Sequence, residues 1–259
     1  MGVPVWQGVL PMSSDDALTK IDNAYKRGAH AVIVSGPRNQ SEWHTDREQF
    51  WFDILTHSPL PIIVYDEPKL SARFPTDVVV DLLRHPSVAG YKDSTKDLIH
   101  ASLVLSKLPH LAYYSGSDGL TWPLMALGAC GVISLLVDPF PTLLRELVDN
   151  ASAFHVSMAR MLHHCIVEIR QVLTRWPNQA GYKSVLQAYG VGQGSVVTQG
   201  FEPSQLLADI QRVQTRFPAI SYQAFWYVVP RSRFVLIING HGHPLMISAS
   251  SIHLHPGAT

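Results

Sequence analysis

Val88-Ala89-Gly90-Tyr91-Lys92-Asp93-Ser94-Thr95 is a short apolar run that ends in a lysine and breaks into small polar residues. Val88, Ala89 and Gly90 read as a buried strand, and Asp93, Ser94 and Thr95 offer side-chain oxygens to cap a following helix. The stretch thus predicts an amine at the carboxyl end of a strand. In a parallel α/β protein catalytic groups gather at that edge, where a partly dry lysine can lose its proton and attack a carbonyl. Lysine also ends strands for plainer reasons, its stem packing on apolar neighbours while the ammonium reaches water. The octapeptide acquires chemical meaning only from residues elsewhere in the chain.

On either side of Lys92, strand-like and helix-like segments alternate. The strands are Val3–Val9, Ala29–Val34, Pro61–Tyr65, Val88–Lys92, Leu111–Ser115 and Gly131–Ser134. Between and after them, helical spacing covers Asp15–Arg27, Ser41–His57, Pro75–Leu83, Asp97–Lys107, Gly119–Leu127 and Leu143–Val148, with Ala17, Ile21, Ala24 and Tyr25 on one face of the first. About six repeats at intervals of roughly 20 to 30 residues are the pattern of parallel βα units. Right-handed crossovers leave an open wound sheet or a closed barrel. The barrel is favoured because no glycine-rich phosphate loop opens a helix, and Gly190–Gly194 follows a helix-like segment and reads as a loop. The expected fold is α/β, of the (β/α)8 TIM-barrel type, incomplete at about six βα units, with a C-terminal helical annex.

The expected boundaries are a partial barrel over 1–152, the annex over 153–218 and a divergent tail over 219–259. In the annex, Ala153–Trp176 carries Val156, Ala159, Leu162, Ile166, Ile169 and Leu173 at helical spacing, followed by helices at Gly181–Tyr189 and Ser204–Arg216. His155, His163 and His164 lie there without carboxylate or cysteine ligands at useful spacing, so no metal site is expected. The tail reads as strands at Phe225–Val229 and Phe234–Ile238, then a polar coil with His241, His243, His253 and His255.

Twenty basic residues balance twenty acidic ones, so no global field points to nucleic acid or an anionic membrane. Small neutral molecules or small anions are the expected partners. Cys130 and Cys165, both in apolar settings, argue against a disulfide framework and fit a reducing cytosol. No apolar run approaches the roughly 20 residues that span a bilayer. The amino-terminal MGVPVWQGVLPM lacks the form of a signal peptide, so a cytoplasmic location is expected.

Four punctuated strand ends now stand in order: Tyr65-Asp66-Glu67-Pro68, Gly90-Tyr91-Lys92-Asp93-Ser94, Ser115-Gly116-Ser117-Asp118, and Gly128-Ala129-Cys130-Gly131-Val132-Ile133-Ser134. With these four in register over about Val3–Phe217, the chain resembles the dihydrodipicolinate synthase and N-acetylneuraminate lyase family of class I, Schiff-base-forming aldolases. The resemblance implies that Lys92 is the nucleophile that condenses with the ketone of pyruvate or another 2-oxo acid. It implies that Tyr65 shuttles protons, that the Ile133 backbone helps hold the substrate, and that Gly116, Ser117 and Asp118 meet its variable tail. No cofactor is implied, and a homo-oligomer is. The chemistry is consistent on its own terms. A free lysine has a pKa of about 10.4 and needs desolvation to act near neutral pH, and a protonated imine then lets a C–C bond break or form through an enamine.

The departures from the family carry expectations too. Family members have two further strands before the one that Val3–Val9 resembles, the second ending in a Gly-Thr-Thr-Gly-Glu turn that binds the 2-oxo carboxylate. The chain is expected to be amino-terminally truncated relative to them, with two exposed parallel edges. The tail strands are not expected to fill the gap, since FVLIINGHG only loosely echoes the missing motif. Leu70 stands where the synthases place a carboxylate-gripping arginine, and Arg38 and Asn39 replace an aromatic pair. Gly119 stands where sialic acid lyases are acidic. The resemblance thus implies a 2-oxo-acid aldolase outside lysine biosynthesis, with a catalytically impaired interaction or regulatory subunit as the alternative.

Overall fold

Apolar runs too short for helices and flanked by turn residues become parallel strands here because amphipathic helices cover them. A computed structural model describes residues 4–37, 46–176, 179–189, 203–220, 234–238 and 244–248. The order is β1 (Val5–Val9), α1 (Ser14–Lys26), β2 (Ala31–Ser35), α2 (Asp46–His57), β3 (Ile62–Asp66), α3 (Thr76–Leu82), β4 (Val88–Asp93) and α4 (Leu98–Lys107). Then come β5 (Tyr113–Ser115), a 3-10 turn at Asp118–Leu120, α5 (Thr121–Ala126), β6 (Gly131–Val132), a second 3-10 turn at Leu135–Val137 and α6 (Pro141–Ser152). Helices α7 (Val156–Thr174), α8 (Ala180–Ala188) and α9 (Pro203–Arg216) follow, and β7 (Phe234–Ile238) and β8 (Pro244–Ser248) end the described chain.

Strands β1 to β6 pair in sequence order, all parallel, and curl into a partial (β/α)8 barrel. The period of two in the strands sorts their side chains into two layers. Trp6, Ala31, Ile33, Ile63, Tyr114 and Ile133 form the inner cluster, with Tyr65 packed against it. Val32, Val34, Ile62, Val64, Tyr91 and Tyr113 point the other way, onto Ile21, Trp51, Val80 and Val104 of the helices. Every residue of β2 is buried because both of its faces are covered. Each large side chain so buried contributes about 1.5–3 kcal/mol.

The first helix starts where Ser13 accepts a hydrogen bond from the Asp16 amide, and it stops before Gly28, whose φ of 82° suits glycine. It buries Ala17, Ile21 and Ala24, but Tyr25 is exposed, one step beyond the apolar stripe. In α7 the predicted face is buried from Ala159 to Leu173, whereas Val156, in the first turn, is exposed. That face, α9 and α6 share one apolar cluster with Val132 of the barrel.

Two expectations about the tail are corrected. Strand β7 pairs parallel with β1, matching Val5 to Leu236 and Gln7 to Ile238, so the β1 edge is not bare. The stretch read as polar coil contains β8, antiparallel to β7, and β8 passes close to β6. The backbone donors and acceptors of an open edge take a partner when an apolar run is at hand, and Leu245-Met246-Ile247 is such a run despite its polar flanks. Phe225–Val229, Gly190–Gly194, Arg38, Asn39 and the four tail histidines lie outside the described residues.

Candidate active site

Parallel register brings the chemistry together. Tyr65 of β3 is the partner of Lys92 of β4, and Lys92 is in turn the partner of Tyr114 of β5. One row of the barrel wall thus carries an amine between two phenols. The Lys92 Nζ lies 3.9 Å from the centroid of the Tyr65 ring, a cation–π distance. Both residues are half-buried at the carboxyl ends of their strands.

Desolvation lowers the pKa of Lys92 to about 8, while the charges of Glu67 and Asp118 oppose that fall. The same dryness raises Tyr65 to about 12, a hydrogen bond with Ser94 working against it and the Glu67 charge adding to it. The Tyr65 hydroxyl faces Glu67 Oε2 at a long 3.4 Å. At neutral pH the tyrosine is therefore a protonated donor, and part of the lysine population is the free amine.

Asp118, deeply buried, accepts a hydrogen bond from the Ser134 hydroxyl and faces Arg170 of α7, Nε to Oδ2, at 3.4 Å. Burial raises its pKa, against the pull of Ser134 and Arg170. Gly116 lets the chain pass tightly here, since a Cβ would lie 2.8 Å from the Asp93 carbonyl oxygen and overlap the Ser94 hydroxyl. A cavity of about 250 Å³ opens at this edge, lined by Glu67, Lys69, Ser94, Ser117, Asp118 and Arg170 among others. Gly116, Ser117 and Asp118 therefore share one cavity; Lys92 and Tyr65 do not line it, and Tyr65 meets it through its hydrogen bond with Ser94. Ile133 is buried in the inner cluster, and its amide already donates to the Ser115 carbonyl over 2.9 Å. Only its carbonyl is left to meet a ligand.

The polar tail of the octapeptide acts differently from the expected cap. Asp93 belongs to β4 and accepts from the Thr95 amide at 2.6 Å, Thr95 accepts from the Asp97 amide, and Asp97 caps α4 through the amides of Ile99 and His100. On the outer face, Tyr91 donates to Asp66 over 2.8 Å and meets His100 at 3.0 Å, and Thr76 meets the other ring nitrogen of His100 at 2.8 Å. These buried bonds tie β3, β4, α3 and α4 together behind the lysine.

Sequence reasoning missed Tyr114, Ser94 and Arg170 as site residues. Ser94 stood inside the quoted motif, and Tyr114 followed Tyr113 on a recognised strand. Arg170 had no local signal at all, since it reaches the cavity from the annex. Cys130 and Cys165 are both free thiols. Among the described residues no three or more His, Cys, Asp or Glu side chains cluster to hold a metal, and no helix is long and apolar enough to cross a membrane.

Fold and site together define a parallel βα-barrel protein with a desolvated lysine at a strand end. Residues 2–209 match the Dihydrodipicolinate synthetase family, and the chain belongs to that family. It is 26% identical over 196 residues to the 4-hydroxy-tetrahydrodipicolinate synthase of Bacillus velezensis, covering 75% of this chain and 68% of that protein. It is 31% identical over 176 residues to 4-hydroxy-tetrahydrodipicolinate synthase 1 of Streptomyces coelicolor, covering 67% of this chain and 57% of that protein. Among solved structures, a dihydrodipicolinate synthase from Bacillus anthracis superposes with a TM-score of 0.71 at 26% identity, covering 82% of this chain and 74% of that one. A prophage protein of the dihydrodipicolinic acid synthase family from E. coli K12, in complex with pyruvate, gives 0.73 at 19% identity, covering 82% and 75%.

Proposed function

We propose that the chain is a Schiff-base lyase or aldolase that makes or breaks a C–C bond of a 2-oxo acid, with pyruvate as the carbonyl partner. The observation that carries this reading is the Lys92 amine against the Tyr65 ring at the carboxyl edge of a parallel barrel. Free Lys92 adds to the ketone carbon, and the carbonyl π pair moves to oxygen, which takes a proton from Tyr65. One proton of the adduct's ammonium moves to the departing hydroxyl, water leaves to give a protonated imine, and the tyrosinate takes one proton from solvent, so that each imine formed consumes one proton and charge and atoms balance. The imine withdraws electrons from its neighbouring carbon, which loses a proton to form an enamine and attacks the second carbonyl, or the reverse. Tyr65 suits the relay because its raised pKa keeps it protonated between steps, and Ser94 connects it to the cavity. The substrate's variable part occupies the cavity beside Gly116, Ser117 and Asp118, and the Ile133 carbonyl supports the imine end.

A homo-oligomer in the cytosol belongs to the same reading, and sedimentation of the purified chain checks the assembly. The chemical test is incubation with pyruvate and borohydride followed by mass spectrometry. A reduced adduct on Lys92 is expected. No adduct at millimolar pyruvate on folded protein overturns the enzyme reading, favours an interaction or regulatory role, and leaves the family membership standing.

A further inference from the structure

The cavity beside Lys92 is unevenly charged. Lys69, Lys96 and Arg170 bring three cations to it, against Glu67 and Asp118. Three cations against two acids leave an excess of one positive charge, and both acids already have partners. Glu67 is engaged by the Tyr65 hydroxyl and by the Lys69 amide at 3.1 Å. Asp118 is buried, bonded to Ser134 and set against the Nε edge of Arg170. A guanidinium has five N–H donors in a planar fork, more than that single contact uses. Asp118 therefore anchors the arginine and leaves donor capacity at the cavity it lines. Ser94, Thr95 and Ser117 add polar atoms to the same wall.

We propose that Arg170, positioned by Asp118 and assisted by Lys69 and Lys96, binds a second anionic group on the substrate, so that the preferred substrates are 2-oxo acids with a carboxylate on the distal end. The inference rests on the Schiff-base reading for where the 2-oxo end sits. It adds a specificity-determining residue contributed by α7 rather than by the barrel. A carboxylate suits the fork geometrically, because guanidinium and carboxylate pair through two parallel hydrogen bonds. An uncharged polyhydroxylated tail would use the serines and threonine but gain nothing from three cations.

The test compares 2-oxoglutarate with 2-oxopentanoate, which has the same chain length and no distal charge. Binding to the full-length chain is measured calorimetrically, and trapping on Lys92 is measured with borohydride. Wild type should bind and trap 2-oxoglutarate about tenfold better, the effect of one charge-assisted contact. Arg170→Met should bring the ratio of 2-oxoglutarate to 2-oxopentanoate binding to about one, both normalised to pyruvate trapping by the same variant, and Arg170→Lys should restore part of the preference. Raising the salt should shrink the preference. A merely structural role for Arg170 would lower all three ligands together and leave the ratio intact, which would overturn the proposal. So would equal binding of the two acids by wild type, or a ratio unchanged in Arg170→Met protein with native melting behaviour. If nothing is trapped on Lys92 but calorimetry still shows the Arg170-dependent preference, the Schiff-base reading fails and the anion site stands.

Discussion

The pH dependence of imine formation tests the central idea most directly. An ordinary lysine titrates near 10.5, whereas Lys92 is lowered to about 8 by its dry surroundings. At pH 7 that places about 9% of Lys92 in the nucleophilic form, against about 0.03% for an unperturbed amine, an advantage of roughly 300-fold. The rate of borohydride-trapped adduct formation with pyruvate, followed by mass spectrometry from pH 6 to 10.5, should climb tenfold per unit at first. It should level off above about 8, the midpoint of the lysine. Glu67→Gln removes a negative charge that favours the ammonium, so the midpoint should move to lower pH, and Asp118→Asn should shift it the same way. A profile that rises without a plateau through pH 10 would refute the reasoning, as would a midpoint that moves upward in Glu67→Gln.

The same lysine costs stability, because the unfolded chain binds a proton between pH 8 and 10.5 that the folded chain does not. Lys92→Met should therefore raise the melting temperature at pH 7, with a gain that fades towards pH 10.5, and an equal gain at both pH values would contradict this. Burial raises Asp66 to about 7, so folded protein holds a proton that unfolded protein releases. Stability should fall as pH rises from about 4 to 7, and Asp66→Asn, which keeps an acceptor for Tyr91, should flatten that part of the curve in denaturant titrations. Gly116→Ala pushes a methyl group into the Ser94 hydroxyl and the Asp93 carbonyl, an overpacking cost of about 1–3 kcal/mol, and it should impair trapping of 2-oxo acids with long tails more than that of pyruvate. Truncation after Ile220 removes β7 and β8 from the β1 edge. Light scattering should then show association, and a monodisperse truncated chain would argue against the edge pairing.

Much of the barrel was legible because its information is local. Ala31–Ser35 and Ile62–Asp66 are short β-branched runs buried on both sides, and nothing but parallel strands accounts for them between amphipathic helices. The helix predicted from Ser41 is described only from Asp46, and the strand predicted over Gly131–Ser134 shortens to Gly131–Val132, since strand ends are set by pairing with a neighbour rather than by residue type. The tail was misjudged because His, Gly and Pro around Leu245-Met246-Ile247 spoke for coil, while an unpaired neighbouring edge spoke for a strand. That edge is invisible to any reading of local pattern.

By itself the sequence determined the succession of βα units and put Lys92 and Tyr65 at the carboxyl ends of successive strands, while the roles expected of them came from the family resemblance. Periodicity and strand-end residues suffice for that, because both act over a few positions. Tertiary structure decided that Tyr114 flanks the amine on its other side, that Ser94 links Tyr65 to a cavity, and that Asp118 turns Arg170 of a distant helix towards it. It also decided how dry the lysine is. Register, desolvation and charge coupling depend on distances in space between residues far apart in the chain, and no local pattern records those distances.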